Sequence, residues 1–425
     1  MKIVKVNSDN YKGLVEKMLN RGEDSFEKID EIVAGIISDI RKNGDKALIE
    51  YTEKFDKVKL DSLKVAEDEI QTALKIVGED FVNILKKAKN NIYSYHEKQV
   101  EKSWISNEGK SSMLGQVVTP IERVGIYVPG GKAAYPSTVL MDAVPAIVAG
   151  VKSVAMVTPP LQDGTVNPYI LAAAYVAGVT EIYKVGGAQA VAALAYGTET
   201  IKPCYKIVGP GNIFVARAKR MVFGVVGIDM IAGPSEICIL AEDGDEKVIA
   251  ADLLSQAEHD EMAASVLVTT SSDLANRVSN EVDVQLKALP KCEMAKNAID
   301  NQSAIFLAEN LDEAFDVVNQ VAPEHLEVII DNPFEYLPKI KNAGAIFLGK
   351  YSPEPLGDYF AGPNHTLPTS GTARFSSPLS VQDYVKKSSL IYYSKEDLSS
   401  VKDDIITFAE NEGLTAHANS IRVRF

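Results

Sequence analysis

The side chains with the widest chemical repertoire in this chain lie in its second half. Four of its five histidines fall there, each in a segment rich in glutamine, acidic residues, glycine or proline: His259, His325, His365 and His417. Histidine is the commonest metal ligand in proteins and the one side chain whose unperturbed pKa lies near neutrality. This placement predicts a site for metal-assisted proton transfer. The remaining histidine, His96, falls on an amphipathic helix and is assigned to packing.

The segment DLLSQAEHD places Gln256 and His259 three residues apart near the end of a predicted helix. At that spacing the two side chains project from one face, so they can hold one side of a metal ion. Glutamine is an uncommon ligand. A surface glutamine next to a histidine that caps the helix is therefore the alternative interpretation.

The segment VAPEHLEV places Glu324 and His325 between a predicted helix and a short strand. Adjacent side chains point in different directions, so this pair fits two proton transfers better than one metal ion. The alternative is a chance neighbourhood in a loop.

Two further segments supply another acid and two histidines. GDYFAGPNHTLPT carries Asp358 and His365, and LTAHANS carries His417, with Glu412 five residues before it. Histidines in loops and near termini are usually only solvated. Taken together, however, a carboxylate, several imidazoles and an amide suit zinc or a similar divalent ion, with open positions left for a substrate.

The hydrophobic pattern predicts the elements that must position these residues. Apolar side chains at three- and four-residue steps predict a helix that begins after Asp24 or Ser25 and stops at Gly44, and a second helix over residues 80–95. From Arg123 onward, short apolar runs alternate with segments long enough to be helices. Such alternation predicts parallel sheets with helices on both faces.

The predicted strands fall into two series. Those of the first series end near Val128, Val157, Val185 and Val208, and those of the second cover residues 237–241, 265–270, 304–307, 326–330 and 345–348, with helices over 246–257 and 273–289. The segment 351–380, rich in proline, glycine, serine and threonine, is predicted to be a structured loop over a site. A tail with one helix, over residues 397–411, follows.

Three strands of the first series run into glycine-rich turns, which are YVPGG over 127–131, VGGAQA over 185–190 and VGPGN over 208–212. Ligands of open parallel sheets collect at the carboxyl ends of strands, where helix N-termini face anions. A phosphate-bearing cofactor is therefore expected here, with Gln189 and Asn212 as the best-placed polar side chains. None of the turns matches the G-x-G-x-x-G pattern, and each could be only a tight strand-to-helix turn.

Composition and charge limit the class of protein. A chain of 425 residues is too long for a single core, so about two to four domains are expected. The formal net charge of -14 disfavours nucleic acid as a partner, because phosphates would be repelled over most of the surface. The sequence contains no apolar run of the length that a membrane span or signal peptide needs. Its three cysteines lack short spacing, which disfavours disulfides and thiolate zinc sites and makes the cytoplasm the predicted location.

Taken as a set, the motifs closely resemble the histidinol dehydrogenase family. The segments that carry the resemblance are RVGIYVPGG, VGGAQAVAALAYGT, GPGN, IDMIAGPSE, DLLSQAEHD, PEHLE, GDYFAGPNHTLPT and LTAHANSI, in the order of the family and over nearly the whole chain from about residue 25. The resemblance implies a zinc-dependent, NAD-linked oxidation of L-histidinol through L-histidinaldehyde to L-histidine, the last two steps of histidine biosynthesis. It also implies a homodimer with shared active sites and one zinc ion per subunit.

The resemblance implies a role for each matching position. The implied zinc ligands are Gln256, His259, Asp358 and, from the partner chain, His417. The implied proton-transfer pair is Glu324 and His325. The implied substrate contacts are Ser235, His365 and Glu412, together with His325 and the zinc ligands, and the implied NAD contacts are Tyr127, Gln189 and Asn212. In this scheme His325 takes the hydroxyl proton as hydride leaves, and Glu324 activates the water that hydrates the aldehyde. Zinc has no redox chemistry, so its task would be to orient a substrate that can donate two nitrogens.

The fold class predicted from these observations is α/β, with two incomplete Rossmann-like parallel-sheet domains, a helical N-terminal arm and a C-terminal tail. The arm covers residues 1–22. A first α/β domain with the metal site covers 23–124 and 236–380, a second that binds NAD covers 125–235, and the tail that reaches the partner subunit covers 381–425. Because neither series has the usual phosphate fingerprint with an acid about twenty residues onward, weak NAD affinity is expected.

Three other interpretations use the same residues. A hydrolytic metalloenzyme also needs zinc, a glutamate and a histidine, although H-E-x-x-H is absent from the sequence. A zinc-stabilised binding protein would close a structural site, although such sites are normally rich in cysteine. Cys238, at a predicted strand start, could form a thiohemiacetal with an aldehyde, whereas a buried strand thiol is the alternative for this residue.

Overall fold

The computed structural model of the chain describes residues 1–19, 21, 26–107, 111–130, 135–290 and 292–425. The described residues divide into two compact units, Met1–Gln99 with Glu122–Tyr384, and Val100–Ile121 with Val385–Phe425. The predicted N-cap positions Asp24 and Ser25 and the last glycine of the YVPGG turn lie outside the described residues. Within the described ranges, no helix combines the length and apolar character that crossing a membrane requires.

A six-stranded parallel sheet in the first unit carries His325 and packs against the helix that contains Gln256. Its strands, in spatial order, are β1 (Lys2–Lys5), β11 (Ala304–Leu307), β10 (Ala264–Thr269), β9 (Glu236–Ala241), β12 (His325–Ile329) and β13 (Ala345–Leu348). The helices that cover it are α1 (Asp9–Leu19), α9 (Glu246–Ala257), α10 (Ser272–Leu286), α11 (Cys292–Gln302) and α12 (Leu311–Val321). Its central strands β9, β10 and β11 are mostly apolar and buried, as expected where helices cover both faces.

Alternate residues of β9 show how the two faces divide. Ile237 and Ile239 pack with α9, α10 and α11, whereas Cys238 and Leu240 pack with α1 and α12. Cys238 is fully buried, and burial raises the pKa of its thiol. A buried neutral thiol is a poor nucleophile, so the structure supports a packing role for Cys238.

A second parallel sheet in the same unit follows the other predicted series. In spatial order its strands are β6 (Glu181–Lys184), β5 (Ser153–Thr158), β4 (Arg123–Tyr127), β7 (Lys206–Val208) and β8 (Gly227–Ile228). The helices that accompany it are α2 (Phe26–Asp56), α3 (Glu67–Val77), α4 (Glu79–His96), α5 (Pro136–Val148), α6 (Pro168–Ala177), α7 (Gly187–Tyr196) and α8 (Ile213–Val222). The two parallel sheets confirm the predicted α/β class.

The first long helix is broken at Gly44, the residue that was predicted to stop it. Gly44 has a positive φ of 51° and kinks α2, which nevertheless continues to Asp56. Apolar residues on both sides of the kink, among them Ile40 and Leu48, pack into one core with α7. Glycine therefore breaks the helix locally, while tertiary packing holds the stretches on either side against one core.

His96 and the segment 351–380 were both given a structural role in the sequence analysis. His96 is fully buried at the end of α4, with Nδ1 2.8 Å from the Ile92 carbonyl, so the packing assignment is confirmed. The segment 351–380 contains α13 (Glu354–Leu356) and a π-helical turn, Gly357–Ala361.

The tail contains more structure than the single helix predicted. In the second unit β14 (Val385–Tyr392) pairs antiparallel with β3 (Met113–Pro120), which also pairs with β2 (Trp104–Ser106). Two helices follow, α14 (Lys395–Asn411) and α15 (Thr415–Arg422). The strand was missed because its partner lies far away in the sequence and its own pattern is largely polar.

Replacing Gly209 by alanine should lower the free energy of unfolding by at least about 2 kcal/mol. Gly209 has a φ of 110°, and a Cβ there would overlap the Tyr127 carbonyl oxygen and lie 2.9 Å from Asp142 Oδ2. The matched control is Gly78→Ala, since Gly78 has a φ of 82° but open space around it. Urea unfolding measures both variants. Equal losses would mean that backbone strain alone, and not the crowded turn, sets the effect at Gly209.

Candidate active site

The amino-terminal edge of the six-stranded sheet holds a cluster of acidic residues and a histidine. Glu236 is the first residue of β9 and His325 the first of β12, and the two strands are neighbours in the sheet. Glu324 Oε2 accepts a hydrogen bond from the Glu236 amide at 2.9 Å. Helix α9 connects two parallel strands and must run back against them, so its last turn brings Gln256 to the same edge.

The orientation of the His325 ring is set by the neighbouring strand. Its Nδ1 lies 3.0 Å from the Glu236 carbonyl oxygen and therefore carries the hydrogen. Its Nε2 has no hydrogen-bond partner among the described residues and lies 3.7 Å from Asp358 Oδ1. The same oxygen lies 3.7 Å from Nδ1 of His365. One carboxylate thus stands between two imidazoles, with a ring nitrogen of His325 left open for chemistry.

Oxygen and nitrogen donors that suit a cation converge on this edge. One ligand atom from each of His325, Glu354 and Asp358 lies within 4.8 Å of the others. Gln256 is buried, and its Oε1 has no hydrogen-bond partner in the part of the chain that the structure describes. His259 lies two residues beyond the end of α9, is exposed, and donates its amide hydrogen to the Gln256 carbonyl at 3.2 Å. Glu354 was not among the ligands predicted from the sequence.

Burial and charge shift the pKa values of this cluster in opposite directions. Burial raises the pKa of Glu324 to about 7 and, together with the charge of Asp358, raises that of Glu354 to about 8. Burial acts to lower the pKa of His325, but Glu324 and Asp358 outweigh it and raise the value to about 10. Burial acts to raise the pKa of Asp358, but the two histidines hold it at about 2. Burial lowers the pKa of His365, and the charges of His325 and His259 act in the same direction.

These pKa shifts show that the site contains more acidic groups than positive charges to balance them. Several carboxyl groups share one buried edge, where each disfavours the ionisation of the next. The cluster therefore favours a bound cation and carries acids that hold or release protons near neutral pH.

The cluster extends to residues that the sequence analysis missed. Glu327, inside β12, accepts a hydrogen bond from the Glu354 amide at 2.7 Å, and Asp252 on α9 hydrogen-bonds Glu327. Arg21 forms a buried ion pair with Glu236. A charged residue inside an apolar strand, as at Glu327, is a signal that could have been used. Arg21 gives no such signal, because only the fold brings it to a partner 215 residues away.

A cavity of about 720 Å³ opens beside the cluster. His325, Asp358 and His365 line its polar side, and Phe347 and Leu356 line its apolar side. A space of this size with a few convergent polar groups suits a small molecule.

The remaining predicted substrate and metal residues lie in different parts of the fold. Ser235 immediately precedes β9 and is half-buried. Glu412 caps the C-terminus of α14 and His417 lies in α15, and both are exposed residues of the second unit. Their assignment to the site stays a prediction.

The residues predicted to bind NAD gather at the carboxyl edge of the second sheet. Tyr127 ends β4, and its buried hydroxyl accepts a hydrogen bond from the Gly187 amide at 3.0 Å. Gln189 is buried in the first turn of α7. Asn212 is the N-cap of α8, and its Oδ1 accepts hydrogen bonds from Phe214 and Val215. Two helix N-termini thus follow glycine-rich turns at this edge, one after β6 and one after β7, with β5 and β4 between these strands in the sheet. Helix N-termini at such turns bind phosphates in many α/β proteins.

Asp56, the last residue of α2, should make stability fall as pH rises from about 4 to above 6. Its Oδ2 is buried without a hydrogen-bond partner among the residues described, and burial raises its pKa from 3.8 to about 6. A carboxyl group whose pKa is raised in the folded state contributes most to stability below its unfolded pKa. That contribution is lost as the pH rises through its folded pKa. Asp56→Asn should therefore stabilise the protein by roughly 1 kcal/mol at pH 8, after discounting for solvent screening, and leave it unchanged near pH 4.

Thermal unfolding at both pH values measures this effect. The exposed Asp61→Asn serves as the control and should change stability at neither pH. Equal melting temperatures for Asp56→Asn and the unaltered chain at pH 8 would contradict the prediction.

Two parallel sheets, one with glycine-rich turns at its carboxyl edge and the other with a buried cluster of acids and a histidine beside a cavity, are the architecture of an α/β enzyme. The family match assigns this enzyme to the oxidoreductases. The chain belongs to the histidinol dehydrogenase family, whose sequence profile matches residues 19–425. The histidinol dehydrogenase of Clostridium acetobutylicum is 59% identical over 406 residues, which cover 95% of this chain and 94% of that protein. The histidinol dehydrogenase of Geobacter sulfurreducens is 52% identical and both chains are covered fully.

A solved structure supports the same assignment. The crystal structure of histidinol dehydrogenase from Elizabethkingia anophelis matches with a TM-score of 0.94 at 38% identity, covering 100% of this chain and 98% of that one. The resemblance inferred from the motifs is thereby confirmed.

Proposed function

We propose that this chain catalyses the zinc-dependent, NAD-linked four-electron oxidation of L-histidinol to L-histidine through L-histidinaldehyde, the last two steps of histidine biosynthesis. The main observation behind the proposal is that Asp358 Oδ1 lies 3.7 Å from His325 Nε2, beside a cavity of about 720 Å³. Membership of the histidinol dehydrogenase family supports the choice of substrate. A cytoplasmic location remains a prediction from the sequence.

The residues present fit a zinc ion. Gln256 Oε1 is buried with no hydrogen-bond partner within the described ranges, a state that is costly unless the oxygen is ligated. We assign one zinc ion per subunit to Gln256, His259 and Asp358, with the partner subunit's His417 as the fourth ligand. Bound zinc would act as a Lewis acid that holds and orients the substrate's nitrogen and oxygen atoms.

The carboxyl edge of the second sheet fits NAD. Tyr127, Gln189 and Asn212 are the contacts that we propose, in a cofactor domain over residues 125–235. Bound NAD would accept hydride from the carbinol carbon in the first half-reaction and from the hydrated aldehyde in the second.

His325 is the proposed base of the first half-reaction. Its Nδ1–H is held by the Glu236 carbonyl, so Nε2 is the atom that takes the hydroxyl proton. The raised pKa of His325, about 10, depends on Glu324 and Asp358 as neighbouring anions. A cation bound at Asp358 would remove that carboxylate's share of the stabilisation of the imidazolium and would bring the pKa of His325 closer to the range of a base.

Glu324 is the proposed base of the second half-reaction. Its carboxyl group is buried with a pKa of about 7, close to the value at which a general base works best at neutral pH. It would take a proton from the water that hydrates the aldehyde. Ser235, His365 and Glu412 are the further substrate contacts that we propose.

Formation of NADH from NAD and L-histidinol by the zinc-loaded protein tests the proposal. The expected yield is two NADH for each L-histidine formed, because the reaction removes four electrons. An amino alcohol without an imidazole is the matched control substrate and should react far more slowly. No NADH under zinc-replete conditions would refute the proposal, and cleavage of an ester or peptide instead would favour a hydrolase.

Subunit mixing should restore activity if two chains share each site, as we propose for a homodimer. In the proposed dimer each site takes His325 (β12) from one chain and His417 (α15) from the other. A mixed dimer of His417→Ala and His325→Ala would therefore contain one site with neither substitution. Mixing the two inactive variants should recover up to about a quarter to a half of the unaltered activity, by the symmetry of a two-fold dimer. Each variant mixed with itself is the control. No recovery after verified subunit exchange would place each site within one chain.

A further inference from the structure

Asp142 lies where the turn after β7 meets the loop that carries His365. It is on α5 and is fully buried. Its Oδ1 accepts a hydrogen bond from the Thr366 hydroxyl at 3.0 Å. Its Oδ2 lies 2.9 Å from the position that a Cβ on Gly209 would take. One oxygen of this carboxyl group is therefore bonded to the loop that carries His365, and the other is buried beside Gly209 without a hydrogen-bond partner among the described residues.

The loop that carries His365 is bound to α5 through Asn364 and Thr366, the residues on either side of the histidine. Asn364 Nδ2 donates a hydrogen bond to the Met141 carbonyl at 2.6 Å, and Asn364 Oδ1 accepts one from the Thr366 amide at 2.8 Å. Asn364 and Thr366 are both buried. The backbone of His365 is thus held between two anchors, which sets the position of its ring against Asp358.

The turn after β7 is held just as firmly. The Gly209 amide donates to Asp229 Oδ2 at 2.8 Å, and Lys219 Nζ donates to the Gly209 carbonyl at 2.8 Å. Lys219 and Asp229 form a buried ion pair with each other. Tyr384 donates its hydroxyl hydrogen to the Asp142 carbonyl at 2.7 Å, which fixes α5 at this point. The turn that leads to Asn212 and the loop of His365 are therefore each held in place, and Asp142 lies between them.

We propose that Asp142 is a positioning residue that holds the loop of His365 in register with the turn that leads to Asn212, and so aligns substrate and cofactor. This inference rests on the proposed function, since it assigns the two segments to histidinol and NAD. Burial and the charge of Asp229 raise the pKa of Asp142 well above its ordinary value, so asparagine is the closest replacement for its side chain.

Thr366→Val and Thr366→Ser separate positioning from simple packing. Valine removes the hydroxyl donor and keeps the shape, whereas serine keeps the donor. Thr366→Val should raise the KM for histidinol by roughly tenfold with little change in kcat or in the NAD dissociation constant, because one buried hydrogen bond is lost and the loop relaxes. Thr366→Ser should stay within about twofold of the unaltered chain, in line with its retained hydrogen bond.

Asp142→Leu and Asp142→Asn test the role of Asp142 itself, the acceptor of the Thr366 hydrogen bond. Asp142→Leu should raise both the KM for histidinol and the NAD dissociation constant, measured by calorimetric titration, by roughly tenfold, because it disturbs both segments. Asp142→Asn retains the acceptor and should restore both values. If Asp142→Leu does not fold, the Thr366 pair decides the question.

The outcomes are distinct. A histidinol KM for Thr366→Val equal to that of Thr366→Ser, with only a lower melting temperature, would overturn the positioning role. An unaltered chain that forms no NADH from histidinol would refute the proposed function, whereas an active chain with an unchanged Thr366→Val would refute only the inference about Asp142.

Discussion

Replacing His325 by alanine should lower kcat for histidinol oxidation by about 10²- to 10⁴-fold, the contribution expected of a general base. The imidazole is held by the Glu236 carbonyl through Nδ1, with Nε2 facing the cavity and Asp358. Without the ring, the hydroxyl proton has no acceptor at that position. NADH formation at saturating NAD and histidinol measures kcat.

Two observations separate loss of a base from loss of structure. His325→Gln keeps a polar side chain of similar length but cannot accept and release the proton in the same way, so its kcat should fall as far as that of His325→Ala. Zinc content and melting temperature should stay near those of the unaltered chain for at least one of the two variants. Retention of kcat within about tenfold by both variants would exclude His325 as the base.

Replacing Asp358 by alanine should lower zinc affinity by about 100-fold or more and abolish histidinol oxidation with it, because it removes the anionic member of the proposed ligand set. Asp358 is the point on which both His325 and His365 converge, each with a ring nitrogen 3.7 Å from Oδ1. Its pKa of about 2 keeps it ionised over the whole working range of pH. Zinc content after dialysis against a weak chelator, with NADH formation in parallel, measures the effect.

Two variants serve as comparisons for Asp358→Ala. Asp331→Ala removes an exposed carboxylate just beyond β12 and should change neither zinc content nor activity. Glu354→Gln removes a charge from a residue whose ligand atom lies within 4.8 Å of Asp358 and His325, and it should weaken zinc binding less than Asp358→Ala does. A stronger effect of Glu354→Gln would make Glu354 a direct ligand in place of Gln256 or His259. Full zinc content in Asp358→Ala would contradict the proposed site.

The sequence by itself predicted the features that depend on neighbouring residues. The helix over residues 246–257 was predicted with the same limits that α9 has, because its N-cap and its apolar positions lie within one short segment. Strands β4 to β7 and β9 to β13 were predicted for the same reason, since a continuous apolar run is enough to indicate a buried strand. The edge strands β1 and β8 were not predicted, and β1 lies in the N-terminal arm that was predicted to be helical. Gln256 was correctly placed in the last turn of a helix.

The motifs also determined the family, because eight segments in one order leave few alternatives. They did not determine where on the sheets the residues lie. Tyr127 and Asn212 lie at carboxyl ends, where ligand sites of parallel sheets are expected, whereas His325 and Glu236 lie at the amino-terminal ends of β12 and β9. The return direction of α9, which depends on the sheet being parallel, sets the edge at which Gln256 lies.

Only the tertiary structure decided which carboxyl groups meet, and hence which are protonated. Arg21 pairs with Glu236 and Thr366 with Asp142, contacts that span 215 and 224 residues and leave no local pattern. The pKa of Glu324 near 7 likewise follows from burial, which no spacing in the sequence encodes. Side-chain periodicity reports the neighbours along one helix or strand, whereas desolvation and charge depend on everything packed around a group, and that is set only when distant segments come together.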